Sequence, residues 1–310
     1  MKYLVTGGGG FIGSNIAEEL LKRNEDVRII DNFSTGRLEN LGDFIDRIEL
    51  IEGDIRDFWT VQEAVKGVDY VIHQAALPSV PRSVKNPLTS NAVNVSGTLN
   101  LLEASKHAGV KRFVMASSSS VYGDTPTLPK HEGMTPDPLS PYAVSKLADE
   151  KYCKVFYELY GLETVCLRYF NIFGPRQNPE SEYAAVVPKF INCLLDSKPP
   201  TVYGDGEQSR DFTYIDNAVS ANILATTAEM APGKYYNVAC GGQFTLNQLL
   251  DALREIIGVN IKARYDSPRR GDIKHSFADI SRAEKELKYK TKVDFFEGLK
   301  KTVEWFKNSN

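Results

Sequence analysis

Apolar positions in the first half of the chain come in short runs, and the stretches between them carry apolar residues at helical spacing. The short runs fall near 3–5, 27–30, 48–51, 69–72, 111–116 and 163–167. Helical periodicity is clearest over 12–21, 88–107 and 142–160. Continuous apolar runs that alternate with helices predict a parallel sheet covered on both faces, an α/β architecture. Ligands of such sheets bind outside the carboxyl ends of the strands. Thr6, Asp31, Asp54, Ala75 and Ser117 all fall at those ends. After Asn171 the pattern becomes irregular, with loops rich in Pro, Gly, Asn and Tyr. A first unit over 1–170 and a smaller lobe over 171–310 are expected, with the chain returning to the first unit near 212–238. A strand at 236–238 and helices over 246–257 and 295–306 complete the pattern.

Composition narrows the function only a little. The chain has 310 residues, 42% of them apolar and 25% charged, enough for a sizeable core. A net charge of −3 supplies no general basic field for nucleic acid or an anionic membrane, so neither is expected as a partner. An anionic ligand must be held by a few local cations. Cys153, Cys166, Cys193 and Cys240 lack C-x-x-C spacing and are expected to be reduced thiols of a cytoplasmic protein. The chain opens directly on a strand, without a signal peptide, and no apolar run approaches a membrane span. No His-rich or acidic cluster has metal-ligand spacing.

The chemistry begins at the first turn. Thr6-Gly7-Gly8-Gly9-Gly10-Phe11-Ile12-Gly13 links the first strand to the first helix. Gly7, Gly10 and Gly13 form G-x-x-G-x-x-G, which lets backbone approach a pyrophosphate lying on a helix N-terminus. Asp31 ends the second strand, 24 positions after Gly7, near the distance at which an acid meets an adenosine ribose. A carboxylate there repels a 2′-phosphate and favours NAD over NADP, although Arg37 follows closely. Asp54 is placed near the adenine edge. Ala75 and Ala76, after His73 and Gln74, leave room for a cofactor, and His73 is expected to be structural. Tyr142 and Lys146 lie at i and i+4 on one helix face. A nearby ammonium favours the phenolate, which makes Tyr142 a plausible base. The serines 117–120 offer a hydroxyl for a substrate oxygen.

Together these segments resemble the extended short-chain dehydrogenases. The resemblance rests on T-G-x-x-G-F-I-G, Asp31-Asn32, S-S-S-S-V-Y-G, Y-A-V-S-K, Leu167-Arg168-Tyr169-Phe170-Asn171 and Gln208-Ser209-Arg210-Asp211-Phe212. Within that group the chain resembles nucleotide-sugar 4-epimerases of the UDP-glucose and UDP-N-acetylglucosamine (UDP-GlcNAc) type. The implied fold is a Rossmann-type doubly wound parallel sheet that binds NAD, with a smaller C-terminal α/β lobe for the UDP-sugar. Related dehydratases carry an Asp-Glu pair just before V-Y-G, and decarboxylating relatives a glutamate. Ser119 and Ser120 stand there in this chain, so the resemblance implies oxidation and re-reduction with nothing in between.

It also implies roles. Tyr142 takes the proton of the sugar 4-hydroxyl, Ser118 (with Ser119 beside it) holds the 4-oxygen, and Lys146 binds the nicotinamide ribose. NAD is kept tightly bound and regenerated each cycle. The cofactor set is completed by Gly7, Gly10, Phe11, Ile12, Gly13, Asp31, Asn32, Asp54, Ile55, Ala75, Ala76, Asn94 and Tyr169. Arg210 and Arg269 match phosphate-binding arginines, and Asn171 is expected at the sugar-side phosphate. Segments 183–188, with Val187, and 202–204, with Tyr203, are expected around the uracil. Ser276, after Arg269-Arg270-Gly271-Asp272, falls where a tyrosine restricts relatives to plain hexoses. A small residue there implies room for an N-acetyl group, hence UDP-GlcNAc and UDP-GalNAc beside UDP-glucose and UDP-galactose. A UDP-glucuronate 4-epimerase, another extended short-chain dehydrogenase releasing NADH, and a non-catalytic NAD-binding regulator are the competing readings. Relatives dimerise through helices matching 88–107 and 142–160, so a homodimer is expected.

Overall fold

The computed structural model describes residues 1–180, 185–268 and 273–309. Its centre is a seven-stranded parallel sheet with helices on both faces. The strands are β1 (Lys2–Thr6), β2 (Asp26–Asp31), β3 (Glu49–Glu52), β4 (Tyr70–His73), β5 (Arg112–Ser118), β6 (Glu163–Tyr169) and, much later, a strand at Lys234–Val238. Spatially, the Lys234–Val238 strand pairs with β6, and the order continues β5, β4, β1, β2, β3. The order reverses between β1 and β4, the place where open α/β sheets bind ligands.

Adjacent residues of each strand point into different cores. Val5, Ile29, Ile72, Val114 and Val165 join the cluster on one face, whereas Leu4, Ile30, Val71, Phe113 and Cys166 join the cluster on the other. Burial on both faces is why these strands read as unbroken apolar runs.

The helices are α1 (Phe11–Lys22), α2 (Phe58–Val65), α3 (Val80–Lys85), α4 (Pro87–Asn91), α5 (Gly97–Ala108), α6 (Pro141–Tyr160), α7 (Val186–Leu195), α8 (Ile215–Thr227), α9 (Leu246–Ile257), α10 (Ser281–Leu287) and α11 (Phe295–Ser309). Helix α1 buries Ile16, Ala17, Leu20 and Leu21 and keeps its acids on the outer side, where Glu18 meets Lys22 and Glu19 meets Arg23. The Ser140 hydroxyl accepts from Ala143 N at the start of α6, Pro141 occupies its first turn, and Gly161 ends it in the left-handed region. The 88–107 periodicity is observed as α4 and α5 joined by a wider turn over Ala92–Ser96, with α3 cut off in front by Asn86-Pro87.

Beyond β6 lie three small sheets. Strands β7 (Ile172–Phe173), β8 (Thr201–Tyr203), β9 (Ser209–Arg210) and β10 (Thr213–Tyr214) come first. The Lys234–Val238 strand, β11, follows, then β12 (Phe244–Thr245), β13 (Arg264–Asp266) and β14 (His275–Ser276). The pairs are β10 with β7, β9 between β12 and β14, and β13 with β8. Helix α8 packs on α1 and the large sheet, and β11 closes that sheet's edge. Cys153, Cys166, Cys193 and Cys240 are all free thiols. Among the described residues no helix is long and apolar enough to cross a membrane.

Candidate active site

One cavity of about 940 Å³ runs along the carboxyl edge of the large sheet. It is lined at one end by Gly7, Gly10, Phe11, Ile12 and Gly13, at its side by Asp31, Asn32, Asp54 and Ile55, and further along by Ala75, Ala76, Ser118, Tyr142, Lys146 and Tyr169.

The glycine turn is shaped by contact. Gly7 has φ +68°, and a Cβ on it would lie 2.7 Å from Ala75 N. A Cβ on Gly13 would lie 2.2 Å from the Gly7 carbonyl oxygen. Strand β1, the loop after β4 and the first turn of α1 therefore meet backbone to backbone. The turn leaves N–H groups at the start of α1 facing the cavity, a cradle suited to phosphate.

At the end of β2 the Asp31 carboxylate accepts from Gly9 N at 2.9 Å and Phe33 N at 2.8 Å. Burial pushes its carboxyl up despite those donors. Asp54 is different: Arg56 grips it through Nε at 2.9 Å and Nη2 at 2.7 Å, and Asn32 adds a bond at 2.8 Å. Chiefly through Arg56, the Asp54 carboxyl falls to about 2. Asp31 bonds the glycine turn itself and Asp54 follows β3, so both lie across β1 from β5, the strand that carries Ser118. The acid at the end of β2, the cradle before it and the small residues Ala75 and Ala76 fit an adenine dinucleotide.

At the other end α6 presents Tyr142 and, one turn on, Lys146. Lys146 is buried under the cavity floor. Tyr142 N donates to Ser83 Oγ at 3.0 Å, which ties the start of α6 to α3. Ser118 ends β5, and its Oγ accepts from Ser120 Oγ at 2.9 Å and Ser120 N at 3.2 Å. Ser117, just before it, donates to Glu150 Oε1 at 2.6 Å, and Glu150 pairs with Arg168 of β6 at 2.7 and 2.8 Å. Arg168 is sandwiched between the rings of Tyr122 and Tyr235. Tyr122 donates to Asn237 Oδ1, and burial pushes its phenol up to about 12. The serine-bearing strand end is thus fixed from beneath by a buried ionic layer in which Arg168 Nε and Nη2 bond Glu150 while its Nη1 has no hydrogen-bond partner among the described residues.

Known proteins place this arrangement. The model of the NAD dependent epimerase/dehydratase family matches residues 3–239. This chain belongs to that family. NAD is its cofactor. A UDP-N-acetylglucosamine 4-epimerase from Methanobrevibacter ruminantium M1, solved with UDP-N-acetylmuramic acid, is 43% identical; the match covers 100% of this chain and 99% of that one at a TM-score of 0.95. The UDP-glucose 4-epimerase of Mycolicibacterium smegmatis is 37% identical over 100% of both chains. A UDP-glucuronic acid 4-epimerase from Bacillus cereus, solved with UDP-glucuronic acid and NAD, is 33% identical over 100% of both chains at a TM-score of 0.92.

Not every residue singled out in the sequence faces the cavity. Asn94 is buried beneath it: its side chain accepts from Leu77 N at 2.8 Å and donates to Ser145 Oγ at 3.0 Å. It holds the loop after β4 against α6. Ser119 begins the turn behind Ser118 and does not line the cavity. Val187 is buried in α7, Tyr203 ends β8, and Asn171 sits between β6 and β7 with φ +36°. Arg210 and Ser276 are register partners on β9 and β14, and Arg210 Nη1 donates to the carbonyls of Ser209 and Lys274. Arg269 lies outside the described residues, as do residues 183 and 184 of the expected uracil segment.

Sequence reasoning missed Arg82, Arg176 and Gln177, which line the cavity. Arg176 bonds Glu18 of α1 at 2.7 Å. The G-P-R-Q run after β7 was the available signal for it. His73 is structural: it bridges Thr6 and Thr98, and burial holds its imidazole well below its ordinary pKa, hence neutral.

Proposed function

We propose that this chain interconverts the carbon-4 epimers of UDP-hexoses, with UDP-GlcNAc and UDP-GalNAc as its main pair and UDP-glucose and UDP-galactose also used. Its standing as an enzyme of the isomerase class, a UDP-sugar 4-epimerase, is supported by relatives bearing that activity in their names. One observation carries the reaction type. Among the described residues lining the cavity, Asp31 and Asp54 are the only acids, and both belong to the glycine-turn end. Around Ser118, Tyr142 and Lys146 no carboxyl group of the described residues lines the cavity to eliminate water or assist loss of a carboxylate. The groups present suit removal and return of one proton.

Bound NAD supplies the two-electron acceptor that takes up the carbon-4 hydride and gives it back. The residues Gly7 to Gly13, Asp31, Asn32, Ile55, Ala75 and Ala76 would hold it, with Lys146 and Tyr169 toward its far end. Tyr142 acts as the base: it takes the proton of the 4-hydroxyl and, once the 4-keto sugar has turned over so that its other face meets the hydride donor, returns that proton to the 4-oxygen. The Lys146 ammonium favours the phenolate form. Ser118 donates to the 4-oxygen, and the serine chain behind it keeps its hydroxyl aimed. We assign residues 1–170, with the return through α8 and β11, to the cofactor, and the remainder of 171–310 to the UDP-sugar. In that lobe Arg210, Arg269 and Asn171 serve the diphosphate, Val187 and Tyr203 the uracil. Ser276, small and buried beside Arg210, leaves space for the 2-N-acetyl group.

A UDP-glucuronate 4-epimerase is the second reading. It draws support from Arg82, a cation lining the same cavity as Tyr142. The deciding experiment supplies UDP-GlcNAc, UDP-glucose and UDP-glucuronate separately to purified protein, adds no NAD, and resolves the products by anion exchange. Formation of UDP-GalNAc is the expected result. Conversion of UDP-glucose alone would overturn the N-acetyl assignment. Conversion of UDP-glucuronate alone would install the second reading.

A further inference from the structure

We propose that Asp149 is the buried counter-ion of Lys146 and, through that lysine, sets the pH range in which Tyr142 acts as a base; the proposal rests on the roles given above to Tyr142 and Lys146. Asp149 lies one turn beyond Lys146 on α6 and is completely buried. Its Oδ2 is 3.7 Å from Lys146 Nζ, too long for a hydrogen bond and short enough for strong attraction. Neither carboxyl oxygen has a hydrogen-bond partner among the described residues. A buried acid with no hydrogen bond is costly, and an alanine would fill this helix position without that cost.

The groups around it leave Lys146 as its one ionic partner among the described residues. From α5 the Thr98 hydroxyl lies against Asp149, but that hydroxyl donates to Asn94 O and meets His73 Nε2 at 2.9 Å. His73, on β4, is neutral and bonded on its other side to Thr6. Glu150, next on α6, is occupied by Ser117 of β5 and Arg168 of β6. Burial raises the Asp149 carboxyl to about 7, against the opposing pull of Lys146. The acid therefore exchanges its proton in the neutral range.

The consequence for Tyr142 has a definite sign. When Asp149 is protonated, Lys146 stands as an uncompensated cation and favours the phenolate. When Asp149 ionises, its charge cancels part of that field and Tyr142 holds its proton more tightly. Asp149 is a positioning residue: it acts on the tyrosine only through the lysine.

The test uses the protein with its NAD as isolated. Tyr142 is titrated by the near-ultraviolet tyrosinate absorbance that Tyr142→Phe removes, in wild-type and Asp149→Asn backgrounds, and the acid limb of kcat is measured alongside. Asp149→Asn should move the Tyr142 titration and the kcat limb down by about one pH unit. That is the order of effect of removing one neighbouring unit charge in a protein-like dielectric. NAD content and melting temperature serve as the check on folding, and Asp149→Ser repeats the test if the asparagine variant does not fold. Superimposable titrations in wild type and variant overturn the proposal. If Tyr142→Phe keeps its turnover, the assignment of the base falls instead, a result distinguishable from the first.

Discussion

At Tyr142 the proposed chemistry depends on one oxygen. Tyr142→Phe removes the proton acceptor and leaves the ring, so the variant should copurify with NAD and lose at least about 10²-fold in kcat, the usual contribution of a positioned base. Turnover near the wild-type rate would place the base elsewhere. Ser276 tests specificity in the same way. It is buried on β14 beside Arg210, and a phenol ring there would fill the space assigned to the N-acetyl group. Ser276→Tyr should lower kcat/KM for UDP-GlcNAc at least 10-fold more than for UDP-glucose, since overlap with a buried substituent costs more than a lost contact. Equal losses on both sugars would sink the gate. Tyr142, Lys146 and the glycines were singled out because their spacing carries chemistry, a tyrosine and a lysine one turn apart and glycines three apart, whereas Ser276 came from the family resemblance. Asp149 was not. An acid three positions after a lysine on a helix reads as a surface ion pair, and only the fold reveals that this one is sealed inside.

The elements show where local pattern suffices and where it fails. Six of the seven strands of the large sheet were visible as apolar runs, because burial on both faces removes polar interruptions, whereas β11 carries the buried Asn237 and was read only as a short strand. Helix α7 was not seen as a helix: its residues 186–188 were read as part of a uracil-binding segment, and its N-cap, Ala185, has no side chain that could cap it. Helix α3 was missed because Val80 and Pro81 give a short segment whose Ser79 cap has φ +98°. Helix α6 and strands β5 and β6 are joined through Glu150, Ser117 and Arg168, all buried. Glu150→Gln would leave the Arg168 guanidinium as an unpaired buried charge. The expected cost is about 3–5 kcal/mol, read as a lower denaturation midpoint. A loss below about 1 kcal/mol would mean that water or another acid takes over the pairing. The junction of β1 and α1 is equally strict: Gly13→Ala puts a methyl 2.2 Å from Gly7 O, so that variant should be isolated without NAD.

On the scale of the whole molecule, one face is left uncovered. Along α6 Val144, Tyr152, Val155 and Leu159 are exposed at the spacing of a single helical stripe. Helices α3 and α4 pack beside α6 and expose Val84 and Leu88, the latter 83% accessible. Scattered apolar side chains on a surface are ordinary, whereas a stripe on neighbouring helices is what a protein contact surface would need. The family resemblance pointed to segments 88–107 and 142–160 as the site of self-association, and the exposed residues on α4 and α6 give that proposal its location. A two-fold contact through α6 would lay the stripe of one copy against that of its partner and bury it in the manner of a four-helix bundle. Tyr142 and Lys146 are on the same helix, so such a contact would also stiffen the element that carries the proposed base. Light scattering should return twice the 34.6 kDa chain mass. Replacing Leu88 and Val155 together by glutamate places like charges in the contact and should halve that mass, with lower thermal stability and NAD retained. A wild-type protein that already scatters as a single chain at micromolar concentration would leave the stripe for some other partner and remove α6 from the interface.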